Sequence, residues 1–141
     1  LVIWIALIML APFLSAAPSP AMRKLSHYIY LLFKPTCHQS PARSFHWGFY
    51  PFAVCIRCFT FYAAGLIIGG IYLFRTQIKM LPLRIYLLLA APLLIDFLLE
   101  KLNLYSDLWI VRLTTGFMAG LVFFHLLLLA VSEKKYAQQD G

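Results

Sequence analysis

Charge is what this sequence has least of. Of its 141 residues only 12 are Lys or Arg and 5 are Asp or Glu, a charged share of 12%, about half that of an ordinary soluble domain. Hydrophobic residues supply 62% and aromatic residues 16%, with a mean hydropathy of +0.82. A chain of this length has room for one domain, and a soluble one would need nearly every polar residue on its surface and still fall short. The shortage excludes a soluble enzyme and a disordered tail. It also excludes a disulfide-stapled secreted mini-domain, and there are only three cysteines. What remains is an integral membrane protein.

Other absences narrow the function. Ser, His and Asp occur, but at no spacing that supports a hydrolase. No second cysteine pair exists to pass electrons on, and the spans show no repeated halves of the kind many transporters carry. The net charge of +7 does not make a nucleic-acid site. The cations fall between apolar runs, where headgroups and the topology signal want them, and no basic face is left once those runs are removed.

The apolar runs predict an all-α fold, a single membrane domain over 1–141. It has about four transmembrane helices (1–17, 59–75, 83–100 and 108–131) and one short interfacial helix. The first run resembles a signal-peptide core, with small residues at Leu14-Ser15-Ala16-Ala17, and reads as an uncleaved signal anchor. It starts mid-run without Met, so residues upstream are expected. Met22 to Phe33 is amphipathic: Leu25, Tyr28, Ile29, Leu32 and Phe33 share a face away from Arg23, Lys24 and His27, as in a helix lying in the interface. Pro35 stops it.

The Lys and Arg count on the two sides is nearly tied. Arg23, Lys24, Lys34, Arg43, Arg57 and Lys101 stand against Arg75, Lys79, Arg84, Lys134 and Lys135. Discounting Arg43 and Arg57 as functional puts the Arg75 turn in the cytoplasm. The polar Cys/His loop 34–58 is then extracytoplasmic.

That loop holds Cys37-His38-Gln39, Arg43-Ser44-Phe45-His46 and Cys55-Ile56-Arg57-Cys58. Cys37, Cys55 and Cys58 with His38, or His46 in its place, form a set suited to tetrahedral zinc. The spacing lacks the paired knuckles of a standard zinc signature. Two rivals stand beside it: a Cys55–Cys58 disulfide with Cys37 as the shuttling thiol, and three inert buried thiols. Asp96, near the end of the third span, and Arg112, near the start of the fourth, are costly inside a bilayer and so are expected to pair or to serve a function. Asp96 has Arg112 or Arg57 as its natural partner, or orients a metal-binding histidine from behind.

These residues carry a resemblance. Cys37-His38, Arg43-Ser44-Phe45, Val54-Cys55-Ile56-Arg57-Cys58, Tyr62, Asp96, Ser106, Arg112, Thr115 and Gly116 follow the pattern of the DUF2085 family. These are small bacterial and archaeal membrane proteins of unassigned function. The resemblance spans Cys37 to Gly120 and departs from the pattern twice, at Phe59-Thr60 in place of T-G and at Phe97 in place of glycine after Asp96. It implies a prokaryotic cytoplasmic membrane and supplies no reaction.

Gly65-x-x-x-Gly69 and Gly116-x-x-x-Gly120 predict close helix packing. His125 is expected to be a hydrogen-bonded core or interface histidine, His27 a solvated one, and Trp47 and Trp109 part of an aromatic belt. Three functions are compatible with the whole. One is a metal-binding accessory subunit, contacting the bilayer and other membrane protein subunits. The second is a thiol–disulfide oxidoreductase using Cys55, Cys58 and Cys37 with a quinone, Arg57 lowering the thiolate pKa. The third is a small-ligand pocket on Asp96 and Arg112.

Overall fold

The computed structural model describes residues 1–74, 79–102 and 108–139, the side chains of 133–139 excepted. The elements in order are α1 (Val2–Ala16), α2 (Pro20–Phe33), a 3₁₀ turn (Pro41–Arg43), β1 (Ser44–Trp47), β2 (Tyr50–Cys55), α3 (Ile56–Phe74), α4 (Leu83–Lys101) and α5 (Trp109–Gln139). Two compact units, 1–59 and 60–141, divide the chain within α3. Arg75 and Ser106 lie outside the described residues, as do the side chains of Lys134 and Lys135.

In the first unit, Pro18 and Pro20 hold the chain extended between α1 and α2, with Pro20 opening α2. A buried serine joins the two helices. Ser26 Oγ donates to the carbonyl of Ala11 at 2.7 Å and lies 2.7 Å from Ser15 Oγ. Trp4 meets Phe33 edge-on, with ring centroids 4.7 Å apart. Ile8, Ala11, Ile29, Phe33, Ala53 and Val54 form the apolar core. Of the predicted α2 face, Ile29 and Phe33 are buried, whereas Leu25, Tyr28 and Leu32 stay exposed.

The predicted loop 34–58 contains a β-hairpin, so the fold is not purely helical. β1 and β2 pair antiparallel, with Trp47 opposite Tyr50. Between them Gly48 takes φ +60°, the first central position of a two-residue hairpin turn, where glycine alone is unstrained. A register irregularity follows between Ser44 and His46. Short alternating runs such as Ser44-Phe45-His46-Trp47 give a weak strand signal beside 20-residue apolar stretches, which is why composition hides this sheet.

Among the described residues, two helices are long and apolar enough to cross a bilayer: α3, and α5 over Trp109–Ser132. The other two predicted spans are helical but fall short. α1 has 15 residues, about 22 Å of helix against a hydrocarbon core of about 30 Å. α4 has the length, but carries Arg84, Asp96, Glu100 and Lys101. α5 also runs on to Gln139, past the predicted end of the fourth span at 131. Glu, Lys, Ala and Gln are all good helix formers, so the helix need not end where the apolar run does.

Within the second unit, glycines set the approach of α3 to α5. A Cβ on Gly120 would lie 2.5 Å from the Phe61 carbonyl oxygen and 2.8 Å from Ala64 Cβ, and one on Gly65 would meet the Phe124 ring at 2.5 Å. Gly69 has open space, so the expected contact role does not extend to it. On α4 and α5, Tyr86 Oη lies 2.9 Å from His125 Nδ1, and both side chains are buried. His125 is thus the hydrogen-bonded core histidine expected.

Candidate metal centre

Three elements of the first unit deliver one sulfur each. α2 ends because Lys34 precedes Pro35, and the exposed end of the helix is closed by its own continuation. Thr36 Oγ1 donates to the Phe33 carbonyl at 3.0 Å, and so does the Cys37 N–H, also at 3.0 Å. Cys37 is thereby folded back under the helix and buried. Cys55 ends β2, and Cys58 lies in the first turn of α3, which starts at Ile56. The three Sγ atoms all lie within 4.8 Å of one another. A tetrahedral zinc with Zn–S bonds of about 2.3 Å would set its sulfurs about 3.8 Å apart, so this set needs little adjustment to hold one. All three are free thiols.

Backbone and thiol donors converge on Cys37. The Cys55 N–H reaches its Sγ at 3.2 Å and the Gln39 N–H at 3.5 Å. Hydrogen bonds from the Cys55 and then the Cys58 thiol hold the Cys37 thiol far below its ordinary value, against the opposing effect of burial. The Cys55 thiol is pushed up, first by that same contact with Cys37. One sulfur is thus prepared as a thiolate, the form that binds metal.

Gln39 is the residue to which the sequence reading gave no role. Its backbone sits at φ +52°, a left-handed conformation uncommon outside glycine. From there its Nε2 donates to the carbonyls of Tyr30, at 2.7 Å, and Ala53, at 2.8 Å. It therefore ties α2 to β2 across the base of the Cys37 loop. Tyr30 Oη, donating to the Pro51 carbonyl, makes a second tie. A glutamine beside a cysteine carries no sequence signal for this; only the approach of the two carbonyls reveals it.

The other predicted residues fall as follows. His38 and His46 are exposed, and neither belongs to the three-sulfur group. Arg43 is exposed at the end of the 3₁₀ turn, and Arg57 is half-buried one residue before Cys58. Phe59, where the family pattern has threonine, packs edge-on against Phe45 and Phe52 at centroid distances of 5.7 and 5.8 Å. This departure fastens the hairpin to the start of α3.

Asp96 and Arg112 are buried in the second unit, at 3% and 5% exposure. Thr115 Oγ1 donates to Asp96 at 3.3 Å, and Arg112 forms an ion pair with Glu100 at 3.0 Å. Glu100 is the last residue of the third predicted span. α4 continues through it, so Glu100 stands one helical turn beyond Asp96 and on the same face.

A helical membrane chain with clustered cysteines on a hairpin and a helix mouth defines the class. The family model described as "Predicted membrane protein (DUF2085)" matches residues 37–126, and the chain belongs to this family. It is also 32% identical over 126 residues to an uncharacterized protein of Methanocaldococcus jannaschii, covering 85% of this chain and 81% of that one. No solved structure matches the chain.

Proposed function

We propose that this protein is a small membrane subunit in which Cys37, Cys55 and Cys58 hold a structural zinc ion, with His38, or His46 in its place, as fourth ligand. The observation that carries this reading is the meeting of three sulfurs within 4.8 Å from three separate elements. Zinc bound there would neutralise the thiolates and lock the loop, the hairpin and the mouth of α3 together. In small peptides such a site contributes on the order of 10–16 kcal/mol. The described surface carries many exposed apolar side chains, among them Leu88, Leu94 and Phe123. With so little chain outside the apolar runs, these suit lipid and neighbouring membrane subunits. In this reading α1 and α4 are membrane-embedded with α3 and α5, in a prokaryotic cytoplasmic membrane, and the sulfur site faces the extracytoplasmic side.

Metal content by mass spectrometry, with thiol counting under non-reducing conditions, tests it. One zinc per chain with three free thiols supports the reading. A metal-free chain with a reducible Cys55–Cys58 bond overturns it in favour of a thiol–disulfide oxidoreductase. That second reading rests on the same proximity, because Cys37 lies within reach of the pair. Closing the disulfide would release two protons and pass two electrons to a membrane quinone.

A further inference from the structure

The first acidic residue of the chain is Asp96. Residues 1–59, a compact unit, therefore contain Arg23, Lys24, Lys34, Arg43 and Arg57 with no Asp or Glu among them. That unit holds no carboxylate of its own to pair with its cations, and two of those cations share one place. Arg23 and Lys24, with Pro20, His27 and Tyr28, line an open cavity of about 420 Å³ on the first two turns of α2. All five residues are exposed.

Two further features of this place favour a negative charge, and a third adds apolar surface. α2 begins without a side-chain cap and without an acidic residue in its first turn, so the positive end of its dipole is not offset. Arg23 is steered by its Nη2, which donates to the Pro18 carbonyl at 3.5 Å just ahead of the helix. The Tyr28 ring lies beside His27, with centroids 6.4 Å apart, giving the cavity an aromatic wall. Alongside runs an apolar row. Leu25 is 52% exposed, Tyr28 67% and Leu32 49%, although Ile29 and Phe33 on the neighbouring stripe are buried.

We infer that this cavity binds the phosphate of an anionic phospholipid, with Arg23, Lys24 and His27 around the headgroup and Leu25, Tyr28 and Leu32 against the acyl chains. A soluble phosphate would be met by the cations but would leave the apolar row uncovered. A lipid satisfies both, because its charge and its hydrocarbon are adjacent in the same order as on α2. A cation near an anionic surface is worth about one kcal/mol, so removing two weakens the preference about thirtyfold. The site is independent of the sulfur cluster, and its test does not require metal.

The test uses the full chain in detergent with added lipid, read by native mass spectrometry. Equal mixtures of phosphatidylcholine and phosphatidylglycerol compete, and the double variant R23Q/K24Q is compared with the swap R23K/K24R. The expected result is retention of phosphatidylglycerol over phosphatidylcholine by the native chain. That preference falls about thirtyfold in R23Q/K24Q, stays in the swap and weakens with salt. Unchanged thermal unfolding of the double variant shows that folding is not the cause. Equal retention of the two lipids by the native chain overturns the inference, and so does full preference in R23Q/K24Q. Displacement of the lipid by inorganic phosphate or by an acidic phosphopeptide at equal concentration also overturns it, since the acyl chains would then contribute nothing.

Discussion

Replacing Gln39 separates three effects that act at one residue. Gln39→Ala removes two hydrogen bonds, to the carbonyls of Tyr30 and Ala53, at 2.7 and 2.8 Å. At about 1 kcal/mol each, the loss is about 2 kcal/mol. The backbone at φ +52° costs any L residue about 1–2 kcal/mol relative to glycine. Gln39→Gly therefore loses the same bonds but recovers that strain, and should be close to neutral or about 1 kcal/mol destabilised. Gln39→Glu keeps the shape and turns the donor toward the two carbonyls into an acceptor, so it should be worse than Ala. The predicted order of stability is native, Gly, Ala, Glu. Thermal or denaturant unfolding of the metal-free protein in detergent measures it. Competition with a zinc chelator should then show a 10–100-fold loss of affinity in the Ala variant, the usual effect of removing a residue that orients ligands. A Glu variant as stable as the native chain would refute the reasoning, because the two carbonyls would then not be receiving a hydrogen bond from Gln39.

The remaining predictions probe the packing, the ion pair and the sulfurs. Gly120→Ala places a Cβ 2.5 Å from a backbone oxygen and should cost about 1–3 kcal/mol, whereas Gly69→Ala meets nothing and should gain about 0.5–1 kcal/mol; unfolding midpoints that shift in the same direction would contradict the contact. Arg112→Gln removes the ion pair with Glu100 and should destabilise the chain by about 1–3 kcal/mol, with partial recovery in the Arg112→Glu/Glu100→Arg swap, read by the same unfolding assay. Lowering the pH protonates thiolates, so zinc occupancy measured by mass spectrometry should fall on acidification and return on neutralisation. In the metal-free protein the Cys37 thiol is held far down, so ultraviolet thiolate absorbance should persist well below the ordinary thiol range and disappear in Cys37→Ser. A lowered value means that stability from Cys37 is present at high pH and is lost as the pH falls.

The cysteine pattern was legible because its chemistry is carried by residue identity: three thiols, two of them in a CxxC ahead of an apolar run. Class was legible for a simpler reason, since a shortage of charge is a property of composition and no arrangement of the chain can alter it. Helix positions followed from runs of apolar residues longer than any strand. The hairpin, the Gln39 tie and the Arg112–Glu100 pair were not legible. Each depends on which backbone carbonyl or carboxylate comes within about 3 Å of a donor, and sequence separation says nothing about that. Glu100 shows the limit clearly: its charge marks the end of the third predicted span, and only the structure shows its ion pair with Arg112 on α5. Composition alone therefore made this a membrane protein and set aside its cysteines as a group. Only tertiary structure decided that the three sulfurs meet within 4.8 Å, because that distance is fixed by a proline-stopped helix, a glycine turn and a glutamine bridging two carbonyls.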